Sequence, residues 1–126
     1  MTAGGFYHFS ISGVGRGNGA SVIQKAAYRA GTRLMDERTG EPADYRARNG
    51  VDKTIVLARD NAPEWRDDIG RLWNEAERAE PRVNGRLATE FILALPHELD
   101  AETRERLARE MVLPIVEKRI KGLCGA

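Results

Sequence analysis

Residues 87–95 read LATEFILAL and are followed directly by Pro96. Their apolar and β-branched residues predict a strand that ends at the proline. One face carries Leu87, Thr89, Phe91, Leu93 and Leu95, and the other carries Ala88, Glu90, Ile92 and Ala94. Glu90 is unusual among small and apolar neighbours, and if it is buried it needs a cation, a metal-bound histidine or a protonated neighbour as its partner.

Upstream of this strand, the sequence predicts a first strand and a first helix. The aromatic and β-branched residues 6–11 (FYHFSI) form the strand, and the glycine-rich residues 13–19 form a flexible loop. Ser21 is placed to cap a helix over residues 22–35, with Gln24 at capping-box spacing.

The remaining elements follow in the same way. Residues 40–50 are predicted as a loop or the approach to a hairpin, and residues 54–58 (TIVLA) as a short buried strand. Apolar residues at helical spacing predict a helix over residues 63–79. A last helix starts after Asp100, with a kink expected at Pro114, and residues 122–126 look unstructured.

Strands and helices alternate in this order, and that pattern alone suggests an α/β fold with parallel strands. No internal repeat or domain boundary is visible, so residues 1–126 are predicted to form a single domain.

Composition is that of an ordinary soluble chain, with 41% hydrophobic and 31% charged residues and a net charge of +1. No apolar run approaches a membrane span and no secretory signal is visible, so no membrane partner and a cytoplasmic location are expected. Cys124 is the only cysteine, which excludes an internal disulfide and a cysteine-based zinc cluster.

Tyr28 is the first candidate for chemistry. A tyrosine hydroxyl becomes a nucleophile when a nearby cation or metal stabilises its phenolate. On a helix over residues 22–35, Lys25, Arg29 and Arg33 would lie beside it and form a patch able to hold phosphates. The alternative is an ordinary half-buried aromatic residue.

His8 is a second candidate, because it could hold a phosphate, ligate a metal or act as a base. Its alternative is a strand histidine bonded to a neighbour. Glu90 is the third, and its alternative is an edge-strand glutamate that faces solvent. His8 and His97 are the only histidines, so no metal site is predicted in this chain.

Several segments together resemble the MobA/MobL family of conjugative relaxases, the MobQ type that includes Ti-plasmid TraA-like proteins. They are YHF at 7–9, GAS at 19–21 leading into AAYRA at 26–30, NAP at 61–63, LWN at 72–74 and ATEFILALPHEL at 88–99. Their order and spacing cover roughly residues 6–120.

The resemblance implies an α+β fold, an antiparallel sheet flanked by helices, as in the ferredoxin-like HUH relaxases. It implies that the tyrosine matching Tyr28 nicks single-stranded DNA at an origin of transfer and keeps the 5′ phosphate. The glutamate matching Glu90 is expected to orient a metal-binding histidine, and His8 to lie near the active site. Accessory relaxosome proteins are possible partners.

Family members continue into a His-hydrophobic-His motif that completes a three-histidine site for a divalent metal, Mg²⁺ or Mn²⁺. This sequence ends at Ala126 before such a motif, so the fold is expected to be incomplete at its C-terminus. We therefore expect no tight metal binding and weak or no activity from this chain alone. Two other hypotheses stay open. One is a non-catalytic DNA-binding remnant that uses Lys25, Arg29, Arg33, Arg46 and Arg48, and the other is a partner-binding module.

Overall fold

A computed structural model describes residues 9–17, 21–58 and 60–118 of the chain. Its elements in chain order are β1 (Phe9–Gly15), α1 (Val22–Ala30), β2 (Arg33–Asp36), β3 (Glu41–Asp44), a 3₁₀ helix (Glu64–Asp67), α2 (Ile69–Ala79), β4 (Arg86–Leu93) and α3 (Ala101–Lys118). Within those ranges, no helix combines the length and the apolar character that crossing a bilayer requires.

Both sheets in the described residues are antiparallel. β1 pairs with β4 from Phe9 opposite Leu93 to Gly15 opposite Arg86, and β2 pairs with β3 in a hairpin. The α+β prediction is therefore confirmed, and the parallel arrangement suggested by the alternating order is wrong. Local patterns identify a strand but carry no information about the direction of its partner.

The first strand lies further along the chain than predicted. It occupies Phe9–Gly15, so Gly13 to Gly15 belong to the sheet and not to the predicted loop. A Cβ atom at Gly13 would lie only 2.8 Å from Nε of Arg86 on the neighbouring strand. The glycine thus leaves room for the Arg86 side chain to cross the sheet. Residues 6–8 of the predicted strand lie outside the described residues.

The first helix is shorter than predicted because Gly31 ends it. Gly31 has a left-handed backbone with φ 63°, and its N–H donates to the carbonyls of Ala27 and Tyr28. The N–H of Thr32 also donates to Ala27, which completes a Schellman motif. Residues 33–35, predicted as helix, instead belong to β2, the first strand of the hairpin, and residues 41–44 supply the hairpin expected within 40–50.

Two predicted elements in the middle of the chain also differ. Residues 54–58 form no strand and pair with none of the four described strands. The helix predicted over 63–79 is split at Asp68, whose carboxylate accepts from the N–H of Arg71 at 3.1 Å and starts α2. Asp100 starts α3 as predicted and accepts from the N–H of Thr103 at 2.7 Å.

The core lies where α1 meets the β1–β4 sheet. Ile23 is completely buried, and Val14 and Val22 pack with it. Partly buried apolar side chains from the hairpin, α2 and β4 surround these three: Leu34, Trp73, Leu87 and Ala88. Burial of this cluster fixes which side of α1 points inward, and it leaves the opposite side for polar contacts.

The other face of the β1–β4 sheet carries exposed apolar side chains. Phe9 is 50% exposed, Ile11 57% and Phe91 48%. Phe9 and Phe91 are neighbours on this face, with ring centroids 6.3 Å apart. Large apolar side chains are thus exposed on this face among the described residues.

Candidate functional site

Tyr28 lies at the surface near the C-terminal end of α1. The helix begins at the Ser21 cap, whose Oγ accepts from the N–H of Gln24 at 3.2 Å, and it ends at Gly31. Ala27 next to Tyr28 is buried, whereas Tyr28 itself is 41% exposed. The ring is therefore accessible and is not sealed in the apolar interior.

Two other side chains fix the position of the Tyr28 ring. Tyr45 contacts it edge-on, with centroids 5.4 Å apart and planes at 90°. The guanidinium of Arg48 lies over the ring, 4.1 Å from its centroid, and Arg48 Nη1 donates to the Tyr28 carbonyl at 3.1 Å. The guanidinium of Arg29 lies 5.4 Å from the same centroid. Positive charge therefore surrounds the phenol.

Glu90 connects β4 to α1 through two cations. Its carboxylate accepts from Arg29 Nε at 2.8 Å and from Lys25 Nζ at 3.4 Å, and its side chain is only 15% exposed. The hydrogen bond from Arg29, with the charges of Arg29 and Lys25, lowers the pKa of Glu90 against the opposing effect of burial. The sequence analysis named a cation, a metal-bound histidine or a protonated neighbour as the possible partner of a buried Glu90. In the described contacts the partners are cations. The expectation that Glu90 orients a histidine remains a prediction.

The five cations predicted to bind DNA fall into two groups. Lys25, Arg29 and Arg48 surround the outer side of α1 as described above. Arg33 and Arg46 belong to the hairpin side. The prediction that Arg33 is a helix neighbour of Tyr28 is therefore wrong. Arg46 donates to both carboxylate oxygens of Asp44, at 2.9 and 2.7 Å, and these bonds lower the pKa of Asp44 to about 2. Arg46 is thus partly neutralised by Asp44.

The remaining predicted site residue, His8, lies outside the described residues. Among residues 9–17, 21–58 and 60–118, no group of three or more histidine, cysteine or acidic side chains could hold a metal ion. Glu90 is already engaged by Arg29 and Lys25. The described residues therefore do not fit the divalent metal that the resemblance implies.

Sequence reasoning missed Tyr45 as a neighbour of Tyr28. The hairpin brings it there, because β2 and β3 pair with Arg33 opposite Asp44, and the N–H of Tyr45 donates to the carbonyl of Thr32 at 3.0 Å. The available signal was the pair of short segments RLMD and EPAD around Gly40, whose φ of 78° suits a turn.

Antiparallel strands flanked by helices, with an accessible tyrosine among cations on the first helix, define an α+β domain of the ferredoxin-like relaxase type. A family model described as the MobA/MobL family matches residues 20–124, and the chain belongs to this family. It is 38% identical over 116 residues to the conjugal transfer protein TraA of Rhizobium radiobacter. It is 36% identical over 102 residues to the mobilization protein MobL of Acidithiobacillus ferridurans.

A solved structure supports the fold. A chain from a study titled "Molecular Basis of Vancomycin Resistance Transfer in Staphylococcus aureus" matches with a TM-score of 0.80 and 32% identity, over 86% of this chain and 56% of that one. The matches cover 83% of this chain but 10% of the Rhizobium TraA, and 81% of this chain but 26% of the MobL protein. The chain therefore spans only part of each of these relatives.

Proposed function

We propose that this chain carries the nucleophile of a relaxase that nicks one strand of DNA at an origin of transfer, and that the nucleophile is Tyr28. The observation that supports this most directly is the position of the Tyr28 ring, which is 41% exposed and lies 4.1 Å from the guanidinium carbon of Arg48. An accessible phenol beside fixed positive charge is what attack on a phosphodiester requires.

The proposed step is a transesterification. The Tyr28 oxygen attacks the phosphorus, the bond from phosphorus to the 3′ oxygen breaks, and the 5′ phosphate stays on the tyrosine. The phenol loses its proton to solvent, and the departing 3′ oxygen takes one up. One phosphate ester replaces another, so the linkage keeps its energy and the 3′ hydroxyl can attack in reverse to rejoin the strand. In the family, a divalent metal supplies Lewis-acid stabilisation of the phosphate.

The cations around Tyr28 support a single-stranded DNA partner. Arg29 and Arg48 lie against the phenol, where the scissile phosphate has to approach. Lys25, Arg33 and Arg46 would meet neighbouring phosphates. Phosphate contacts of this kind release counterions, so affinity for an origin oligonucleotide must fall as salt rises. A weaker salt dependence in an Arg33→Ala and Arg46→Ala double variant would support these contacts.

A substrate with a better leaving group tests the nucleophile without depending on metal assistance. In an origin oligonucleotide with sulfur in place of the scissile 3′ oxygen, attack by Tyr28 releases a thiol that a chromogenic disulfide detects. We expect the 126-residue chain to release one thiol per protein above the constant signal that Cys124 gives without oligonucleotide, and to form a covalent adduct on a denaturing gel. Tyr28→Phe should abolish the adduct and the increment of thiol that depends on the oligonucleotide.

Tyr45→Phe is the matched control, because it removes a neighbouring hydroxyl and keeps the aromatic contact with Tyr28. It should form the adduct as wild type does. An adduct that persists in Tyr28→Phe, or that disappears in Tyr45→Phe, would show that a different residue is the nucleophile.

A further inference from the structure

The outer face of the β1–β4 sheet is the side turned away from α1. Val14 and Ala88 point the other way and pack with the core beneath α1. Strand residues alternate between the two sides, so the pairing of β1 with β4 assigns three residues of each strand to the outer face. They are Phe9, Ile11, Gly13, Thr89, Phe91 and Leu93.

Two aromatic rings dominate the outer face. Phe9 and Phe91 remain about half exposed, and their rings are tilted by 37° with centroids 6.3 Å apart. Because tilted rings do not stack flat on each other, each ring keeps a large part of its surface for another flat group. Ile11 lies opposite Phe91 and completes the apolar area.

One cation shares the outer face with the aromatic rings. Because Gly13 belongs to this face, a Cβ atom on it would point outward, and it would meet Nε, Cζ and Nη2 of Arg86 at 2.8, 3.2 and 3.2 Å. The guanidinium of Arg86 therefore lies against Gly13 on the outer face. Arg86 is exposed and forms no ion pair with any residue that the structure describes. None of the six residues of the face carries a carboxylate.

The charge of Arg86 restricts what can cover the face. An apolar surface that buried Arg86 without a counter-charge would lose the free energy of its hydration. A second copy of this chain, seated with the same face, brings no carboxylate to Arg86, because that face has none. The occupant that matches the face offers flat rings to the two phenylalanines and an anion to Arg86.

Single-stranded DNA carries both groups in every nucleotide. Bases stack on exposed aromatic side chains whatever their sequence, and RNA-binding sheets hold two or three bases on such residues. At a rise of about 3.4 Å per residue, Gly13 lies roughly 7 Å from the position opposite Phe91 and roughly 14 Å from Phe9. A phosphate at Arg86 therefore has one ring close to it and a second ring further along the sheet.

We propose that the outer face is a second binding surface for single-stranded DNA, on which Phe9 and Phe91 each stack one base while Arg86 binds a phosphate beside them. This rests on the proposed function, because that function brings single-stranded DNA to the domain. Binding is tolerant of sequence, since every base has an aromatic face. Because α1 covers the opposite side of the sheet, the strand held here is a part of the DNA distant from the phosphate at Tyr28.

Photo-crosslinking locates the bases in the unaltered chain. An oligothymidylate that carries 5-iodouracil is mixed with the protein at low salt and irradiated, and mass spectrometry identifies the modified residues. We expect adducts at Phe9 and Phe91, because the halogenated base reacts with aromatic side chains on which it is stacked. Adducts confined to Tyr28 and Tyr45, or no adduct at all, would overturn the proposal.

Affinity measurements distinguish stacked bases from bound phosphates. Fluorescence anisotropy compares oligothymidylate with an abasic strand of the same length, which keeps the phosphates and lacks the bases. Phe91→Leu should weaken the binding of oligothymidylate at least about fivefold, the lower end for one stacked base, and leave the binding of the abasic strand unchanged. Ile92→Leu is the matched control, since Ile92 is an exposed apolar residue of the same strand that faces the other way. Equal losses in the two variants, or for the two strands, would contradict stacking on Phe91.

Arg86→Gln tests the phosphate contact. The loss of one phosphate contact should make the slope of log affinity against log salt less steep by about 0.7. The variant leaves both rings in place, so the 5-iodouracil adducts should persist. An unchanged slope would show that Arg86 binds no phosphate, and it would remove the reason for assigning the face to DNA.

The result does not depend on the thiol-release test. If thiol release fails while Phe9 and Phe91 form adducts, the nucleophile assignment is wrong and the second surface stands. If thiol release succeeds while neither ring forms an adduct, only the second surface is wrong. Dimerisation on a sizing column that Phe91→Leu abolishes would show that a second copy occupies the face, and it would also overturn the proposal.

Discussion

Arg48 touches Tyr28 twice, through its guanidinium over the ring and through a hydrogen bond to the Tyr28 carbonyl. A flat guanidinium can make both contacts at once, whereas an ammonium is a point charge on a flexible stem. The sequence analysis assigned Arg48 to phosphate binding. Its observed position makes it a positioning residue for the phenol.

The Arg48→Lys variant distinguishes the role of Arg48 in positioning the Tyr28 phenol from the role of its positive charge. We expect oligonucleotide affinity to change by no more than about twofold, because the positive charge is retained. The rate of thiol release at saturating substrate should fall roughly tenfold, because the phenol is less well aligned. Arg46→Lys is the control, since Arg46 contacts Asp44 and not the ring. Parallel losses of affinity and rate in Arg48→Lys would instead mean that it only binds phosphate.

Ionisation of Glu90 should make the stability of the folded protein depend on pH. Its folded-state pKa is lowered from 4.5 by Arg29 and Lys25, so its ionised form stabilises the folded protein. That contribution is complete above about pH 5 and is lost as the pH falls through the lowered pKa. Glu90→Gln should therefore lower Tm at pH 7, and the difference from wild type should shrink below pH 4.5.

Thermal unfolding from pH 7 to pH 3 measures this effect. Glu110→Gln is the matched control, because Glu110 is exposed on α3 and makes no hydrogen bond or ion pair in the described part of the chain. It should give a nearly constant Tm difference. A Glu90→Gln difference that stays the same down to pH 3 would contradict the stabilising role of the ion pairs.

At this scale the sequence predicted Lys25, Arg29 and Arg33 beside Tyr28 on one helix, and Lys25 and Arg29 do lie on α1 with it, whereas Arg33 lies on β2. The sequence also required a partner for a buried Glu90. The sequence could not identify that partner, because Arg29 and Lys25 lie 61 and 65 residues from Glu90 along the chain. Contacts over such separations depend on the whole fold.

The backbone angle of one residue at the end of α1 determines whether the chain continues as a helix or turns into a strand. Residues 22–35 have enough helix formers to suggest one long helix. However, Gly31 adopts φ 63°, and the hairpin after it buries Ala43 while Leu34 joins the core. Helix propensity differs little between residues, so tertiary packing overrides it here. The strand predicted at 54–58 is not formed either, because a short apolar run does not by itself specify a pairing partner.

Gly31→Ala should destabilise the domain by about 1–2 kcal/mol for the left-handed backbone. A further loss is expected because the new Cβ would lie 3.1 Å from Cγ2 of Val51. Gly40→Ala is the matched control: Gly40 has φ 78° but no atom within 4 Å of the added Cβ. Urea unfolding should give a larger loss for Gly31→Ala, and equal losses would show that the Val51 contact costs nothing.

On the scale of the whole molecule, the exposed sheet face is the clearest departure from an ordinary domain. Phe9, Ile11 and Phe91 form a contiguous apolar area that no described residue covers. Such areas bind hydrophobic dyes. Phe91→Ser should reduce the fluorescence of a bound naphthalene-sulfonate dye, whereas Met35→Ser, a change at an exposed methionine on β2, should not. Equal dye fluorescence in Phe91→Ser and wild type would show that the face is covered in solution.

The pairing of β1 with β4 has a consequence for how the protein is made. The two strands join residues 9–15 to residues 86–93, so the sheet can close only after a loop of about seventy residues has been brought together. On a ribosome that adds about 5–20 residues per second, Phe9 and Ile11 wait several seconds for their partners to emerge. During that interval the nascent chain is most exposed to chaperones and to misassociation, and the helix that carries Tyr28 is complete well before the sheet beneath it.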